Sequence, residues 1–198
     1  GESSEQQGMA LEIQHGLFRI KRANLWQSED KDLSLSYELR PFVPTWAARR
    51  NEGMITAIRN YVKFDAKVSD SVTLSFWEIP IAHIYDRAGF ELADRSGANP
   101  GFENRVYLMA EWQITEKLNF FFPLNLNSTR SREFNGAAAA WSHYVWTQPE
   151  LMYAVTKNYS VGLSWYNNPS FMKSDLSGFQ ISDALKNSVS QIVLHATL

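Results

Sequence analysis

The stretch Arg105-Val106-Tyr107-Leu108-Met109-Ala110-Glu111-Trp112-Gln113-Ile114-Thr115-Glu116-Lys117-Leu118-Asn119-Phe120-Phe121-Phe122-Pro123-Leu124-Asn125-Leu126 decides the fold. Val106, Leu108, Ala110, Trp112 and Ile114 fall on one face, and Arg105, Tyr107, Met109, Glu111 and Gln113 on the other. Side chains alternate across a β-strand, so a period of two marks a strand with one apolar face. The polar triplet Thr115-Glu116-Lys117 follows, and Leu118, Phe120, Phe122, Leu124 and Leu126 then resume the apolar face. The same spacing recurs at Val68 and Val72 around Ser69-Asp70-Ser71, and at Val155 and Tyr159 around Thr156-Lys157-Asn158. Between these tight turns lie long polar loops at 41–53, 83–104, 127–140 and 167–187. Short turns at one end, long loops at the other and period-2 strands between are the pattern of a transmembrane β-barrel.

Working outward, Leu33, Leu35, Tyr37 and Leu39 alternate with Ser34, Ser36, Glu38 and Arg40. Ile58, Val62, Phe64, Ala66 and Val68 alternate with Arg59, Tyr61, Lys63, Asp65 and Lys67. Val72, Leu74 and Phe76 continue that face, and the parity then slips at Trp77, Ile79 and Ile81, which predicts a bulge near 77–80. Residues 141–155 read as one strand interrupted at Pro149, and further strands follow from Tyr159 to Trp165 and from Ser188 to Leu198. The sum is an all-β, antiparallel, up-and-down transmembrane barrel of about eight strands over 33–198, closed within the chain or else irregular or completed by oligomerisation, and small enough for side chains to fill the interior. Residues 1–32 lack one clean parity and are assigned to an N-terminal arm or plug, with an additional strand as the other reading.

The 198 residues suffice for one domain, and a net charge of −2 gives no basic footprint for nucleic acid. The absence of cysteine excludes a disulfide scaffold, cysteine metal sites and a thiol nucleophile. A mean hydropathy of −0.32 does not argue against a membrane, because a barrel strand shows only one face to lipid. Seven Trp and eight Tyr suit membrane–water interfaces. A water-soluble up-and-down barrel of the lipocalin kind, or a β-sandwich, also alternates and stays open at this stage.

The polar alternates Arg59, Lys63, Asp65, Arg105, Glu111 and Glu150 are the candidate lumen lining, where mixed signs supply ion-pair partners for buried charge. Trp112, Phe120, Phe122, Tyr159 and Trp165 are candidate lipid-interface anchors. Ser142 and His143 are adjacent on an extended run and point to opposite faces, a poor start for a Ser–His proton transfer. His15, His83, His143 and His195 are too dispersed for metal-ligand spacing, and no cofactor is expected. Pro80, Pro123 and Pro149 inside strands, and Phe121 on the polar face, depart from a plain barrel: either Phe121 packs a barrel core or mouth, or the sheet has edges or a second apolar surface met by another copy or by lipid.

These residues resemble the bacterial outer-membrane β-barrel superfamily. The C-terminal run Gln191-Ile192-Val193-Leu194-His195-Ala196-Thr197-Leu198 is similar to the superfamily's assembly signal, although it ends in Leu rather than Phe or Trp. A fainter likeness, carried by no motif, runs to porin-like outer-membrane proteins of predatory bacteria of the Bdellovibrio type. The resemblance implies a bacterial outer-membrane location, contact with membrane lipids and recognition of the last strand by the insertion machinery; the irregular strands add the expectation of a homo-oligomer whose subunits cover one another or enclose lipid. It implies a porin-like or envelope-structuring role rather than catalysis. A lipid A-modifying acyl hydrolase or transferase, and an adhesin carried on the long loops, are the alternative roles of such barrels.

Overall fold

Alternation on this scale produces strands almost everywhere, and the computed structural model is 66% strand and 5% helix. It describes residues 10–14, 17–44, 47–167 and 170–196. The chain opens with β1 (Ala10–Gln14), β2 (Leu17–Gln27) and β3 (Leu33–Phe42), followed by the short helix α1 (Ala47–Asn51). Then come the long strands β4 (Met54–Ser69) and β5 (Val72–Tyr85), and the small hairpin β6 (Gly89–Glu91) and β7 (Ser96–Ala98). The strands β8 (Pro100–Gln113), β9 (Leu118–Ser131), β10 (Trp141–Thr147), β11 (Glu150–Ala154) and β12 (Tyr159–Tyr166) follow. Helix α2 (Ile181–Lys186) and β13 (Val189–Ala196) complete the described chain.

Eleven strands form one antiparallel sheet in the order β1-β2-β3-β4-β5-β8-β9-β11-β12-β13, with β10 also on β9 and β6–β7 standing apart as a two-stranded sheet. The expected eight strands are all present, and two departures raise the count. Pro149 divides the 141–155 run into β10 and β11, because proline has no N–H for the ladder, although its carbonyl still accepts from the Trp165 N–H at 3.0 Å. The segment assigned to an arm or plug supplies β1 and β2. Ile13 pairs with Phe18 and Leu11 with Ile20, so the odd residues of one strand face the even residues of the next. The broken parity of 1–32 is therefore the crossing from one strand of a hairpin to the other. A register shift between Arg22 and Trp26 against β3 scrambles β2 further.

The sheet is not closed into a barrel, so the expected up-and-down barrel does not close within this chain. Its path ends at β1 and β13. The physical reason lies at β3: the edge that would meet the last strand of an eight-stranded barrel is occupied by β2. The parity slip expected in β5 also resolves differently. Exposure alternates in one phase along β5, with Leu74, Phe76, Ala82 and Ile84 exposed and Ile79, Ile81 and Tyr85 buried. What changes at Trp77 is the chemistry of the inner face, from polar to apolar.

The chain divides into two compact units. The first comprises Gly1–Phe64, Trp77–Arg105 and Ser128–Ser142. Among its described residues Met54, Ala57, Tyr61, Ile79, Ile81 and Tyr85 form the buried apolar core. Its loop end is pinned by Asn99, which is fully buried: the side-chain amide donates to the Glu52 carbonyl at 2.9 Å, the backbone N–H donates to Ala88, and the carbonyl accepts from Arg132. Gly53 ends α1 with φ +86°, and its carbonyl accepts from the Asp86 N–H; a Cβ there would meet Arg87 Nε at 2.6 Å, so only glycine fits.

The second unit comprises Asp65–Phe76, Val106–Asn127 and His143–Leu198. It contains all three tight turns. Thr115 and Thr156 act alike: each donates its N–H across the turn to Leu118 or Tyr159, and its Oγ1 accepts back from the same residue at 3.0 and 3.2 Å. This hydroxyl-closed turn explains why the repeated triplets begin with a hydroxylated residue. Ser69 does the same more simply, accepting from the Ser71 N–H at 3.3 Å. At the buried Gly162 of β12, a Cβ would meet the Leu151 carbonyl oxygen at 2.5 Å, so β11 and β12 approach more closely than any side chain permits.

Candidate functional site

The strands that carry the candidate residues are polar inside and apolar outside. In β4, Ile55, Val62, Phe64 and Val68 are exposed while Ala57 and Tyr61 are buried and Arg59, Lys63 and Asp65 are half-buried. In β8 Leu108 is 50% exposed, and in β12 Leu163 is 64% exposed beside the buried Gly162 and Ser164. The last strand goes furthest, with Ile192 at 74% and Leu194 at 77%. Of the candidate lipid-interface residues, Trp112, Phe122 and Tyr159 are exposed on this outward face. Phe120 and Trp165 share it half-buried; Phe120 pairs with Leu151, and Trp165 packs against Phe171 with ring centroids 6.2 Å apart.

In the first unit the inner face holds an ionic cluster centred on Glu38, 1% exposed. Its carboxylate takes Arg19 and Arg40 on one oxygen and the Lys63 ammonium on the other at 3.2 Å. Arg40 lies 4.2 Å above the Tyr61 ring, and Lys63 lies 4.3 Å above the Trp77 ring. A carboxylate can be buried here because three cations surround it and aromatic faces receive what charge remains. Lys63 is thus committed to this cluster. Glu38 and Arg40 complete it, and the signal that could have marked them is their place as polar alternates of the strand beginning at Leu33.

A second group stands near the loop end of the same unit. Arg59 and Arg105 come together with His83 and Glu103 around a cavity of about 640 Å³. Glu103 accepts from Arg105 Nε at 2.5 Å and lies 3.1 Å from His83 Nε2. Arg132 donates to the His83 carbonyl at 3.2 Å. Arg49 reaches the wall from α1 and is steadied by Glu52, 3.0 Å away, whose other oxygen holds Arg95 at 2.9 Å. Sequence parity placed Arg59 and Arg105 on the inner face. It missed Arg49, His83 and Glu103, because all three lie in stretches read as loop.

The remaining candidates belong to the second unit and do not form one site. Asp65 accepts from Ser75 Oγ at 2.5 Å. Glu111 is exposed near the turn end and accepts from Asn119 at 2.8 Å. Glu150 accepts from Gln148 Nε2 at 3.1 Å, and that amide also donates to Ser164. The buried polar residues described in this unit are Asn125, Thr147, Ser164, Asn167 and Ser170. Thr147 donates to the Pro123 carbonyl, whereas neither amide atom of Asn125, 0% exposed, has a partner among the described residues. Ser142 and His143 are successive residues of β10, where they fall on opposite faces; Ser142 is exposed, and the His143 N–H donates to the Ser174 carbonyl.

Scans of family models, curated proteins and solved structures return no significant match to this chain.

Proposed function

We propose that this chain is a porin-like or envelope-structuring protein of the bacterial outer membrane, acting through lipid contact and self-assembly rather than catalysis. One observation carries the reading: the polarity of the sheet is inverted relative to a water-soluble β-protein. A lipocalin-like barrel or a sandwich turns its apolar alternates inward. Here Phe64, Leu74, Phe76, Leu108, Leu124 and Leu163 are exposed, while Glu38 and Asn125 are buried. Apolar surface left in water costs roughly 25 cal/mol per Å², so a continuous outward row of such residues calls for an apolar medium or a partner. The long strands suit the first, since spanning a bilayer takes about 9–11 tilted residues and β4, β5, β8 and β9 have 16, 14, 14 and 14.

Self-assembly follows from the edges. Unpaired backbone groups in hydrocarbon cost several kcal/mol each, so β1 and β13 must be covered if they lie at membrane depth. A second copy of the chain is the cover we propose, with the membrane lipids against the remaining outward face. The similarity of the last strand to the insertion signal fits the same compartment.

The test is insertion. Refolded with phospholipid vesicles, the wild-type chain should float with the lipid and resist protease except at its loops. Leu108→Arg and Leu163→Arg should each weaken insertion by about 2–4 kcal/mol if they lie near the bilayer midplane. A chain that is monodisperse in buffer without detergent, and indifferent to both substitutions, would overturn the proposal.

A further inference from the structure

We propose that the cavity at the loop end of the first unit is a binding site for a small organic anion, held by the Arg59 guanidinium between aromatic and thioether walls. The site belongs wholly to that unit and stands whether the outward face meets lipid or another copy.

The charge balance points to an anion. Arg49, Arg59 and Arg105 line the cavity against one carboxylate, Glu103, which is already engaged by Arg105 and His83. Glu52 cannot serve Arg59, since its two oxygens hold Arg49 and Arg95. Arg59 itself is the anomaly. Its Nε is buried without a hydrogen-bond partner, and among the described residues no carboxylate pairs with it. Its contact is the Phe42 ring, 5.3 Å from the guanidinium carbon. Every other cation of the interior described above has a carboxylate or a backbone acceptor. A half-buried guanidinium with a buried, unpaired Nε and no counter-charge is costly, and a bound oxyanion lowers that cost through two parallel N–H···O bonds.

The size and lining define the rest of the ligand. A volume of about 640 Å³ lies within the range of small-molecule sites, roughly 300–1,000 Å³, and is far more than a bare oxyanion occupies. Phe42, Met54 and Tyr85 supply apolar wall beside the cations, so the ligand pairs one charged oxyanion head with an apolar or ring-shaped body. A carboxylate and a phosphate monoester share the head-group chemistry.

Titration calorimetry of the full 198-residue chain with benzoate and with phenyl phosphate, using benzyl alcohol as the neutral control, tests the site. Saturable binding of at least one anion and none of the alcohol is expected. The tighter of the two anions assigns the head group. Arg59→Gln should weaken that binding at least tenfold, Arg59→Lys less, and Arg130→Gln, on the exposed face of β9, not at all. Should Arg59→Gln fail to fold, Thr129→Glu puts a carboxylate on the cavity wall and should abolish binding by like charge. No saturable binding, equal uptake of benzyl alcohol, or unchanged affinity in Arg59→Gln or Thr129→Glu overturns the proposal.

Discussion

The two units solve the same problem, a polar interior behind an apolar exterior, by different means. The first has an apolar core inside the polar one: Ile79, Ile81, Tyr61 and Tyr85 are buried beside Glu38, Arg40 and Lys63. Its charges are matched by a counter-charge or a backbone acceptor, with Arg59, set against the Phe42 ring, as the exception. Among its described residues the second buries little that is apolar, Ala184 and Pro123, and its interior holds Asn, Ser and Thr. Of its acidic groups, Glu111 and Glu150 are each held by a neutral amide, and Asp65 accepts from the Ser75 hydroxyl. An interior built on paired charges fails when one member is lost, whereas one built on neutral hydrogen bonds loses them singly.

The largest effect should therefore come from the first unit. Glu38→Ala leaves Arg19, Arg40 and Lys63 facing one another. Breaking a buried ionic group in this way costs about 3–5 kcal/mol, to be read as a lowered urea midpoint of the folded protein. The matching change in the second unit, Glu150→Gln, removes no ion pair and should cost about 1 kcal/mol or less. Equal losses at the two sites would break the contrast between the units.

Next is packing in the second unit. Gly162→Ala should destabilise by about 1–3 kcal/mol, because the new methyl meets the Leu151 carbonyl and the β11–β12 pair must part. A neutral result would mean that these strands separate freely.

Asn125→Leu probes the neutral interior from the opposite side. Both amide atoms lack a partner among the described residues, so an apolar replacement of similar volume should raise stability, by about 1–3 kcal/mol in urea unfolding. Thr147→Val, which removes the bond to the Pro123 carbonyl, should lower it by about 1 kcal/mol.

The smallest effects belong to the turns. Thr115→Ala and Thr156→Ala should each cost about 0.5–1.5 kcal/mol and should add, being distant and equivalent. At the third turn, the hydrogen bond from Lys67 holds the Asp70 carboxyl below its usual range. A lowered carboxylate contributes stability above its unfolded pKa of about 3.9 and loses it as pH falls through the folded value. Asp70→Asn should therefore slightly lower stability at neutral pH and flatten the acid limb of the profile, with no difference once the carboxyl is protonated in both states.

Much of this was legible in the sequence. The eight expected strands are present because period-2 alternation survives whatever medium lies outside the sheet. The repeated triplets located the turns because hydroxyl-closed geometry is local. What escaped notice was non-local. The hairpin β1–β2 was hidden by a parity change across its connection and by the irregular register beyond Arg22, and closure depends on which strand reaches the free edge of β3. The site divided in the same way. Arg59 and Arg105 were found by parity, while Arg49, His83 and Glu103 became partners only when α1 and the extended ends of β5 and β8 brought them to one cavity. The apolar change at Trp77, Ile79 and Ile81 looked like a bulge, because an inner face that switches from polar to apolar imitates a slip of register.

Along most of the main sheet each strand lies beside its neighbour in the chain, and the path ends without meeting itself. A closed barrel ties strand number, tilt and stagger into one geometric condition, so that strands cannot be added or removed singly. An open path of hairpins has no such condition. It can gain or lose a whole hairpin at an end, as the β1–β2 pair beyond β3 illustrates, without re-registering any other pair. Such a sheet can also form by successive local zippering, since few contacts require distant parts of the chain to meet before their neighbours are in place.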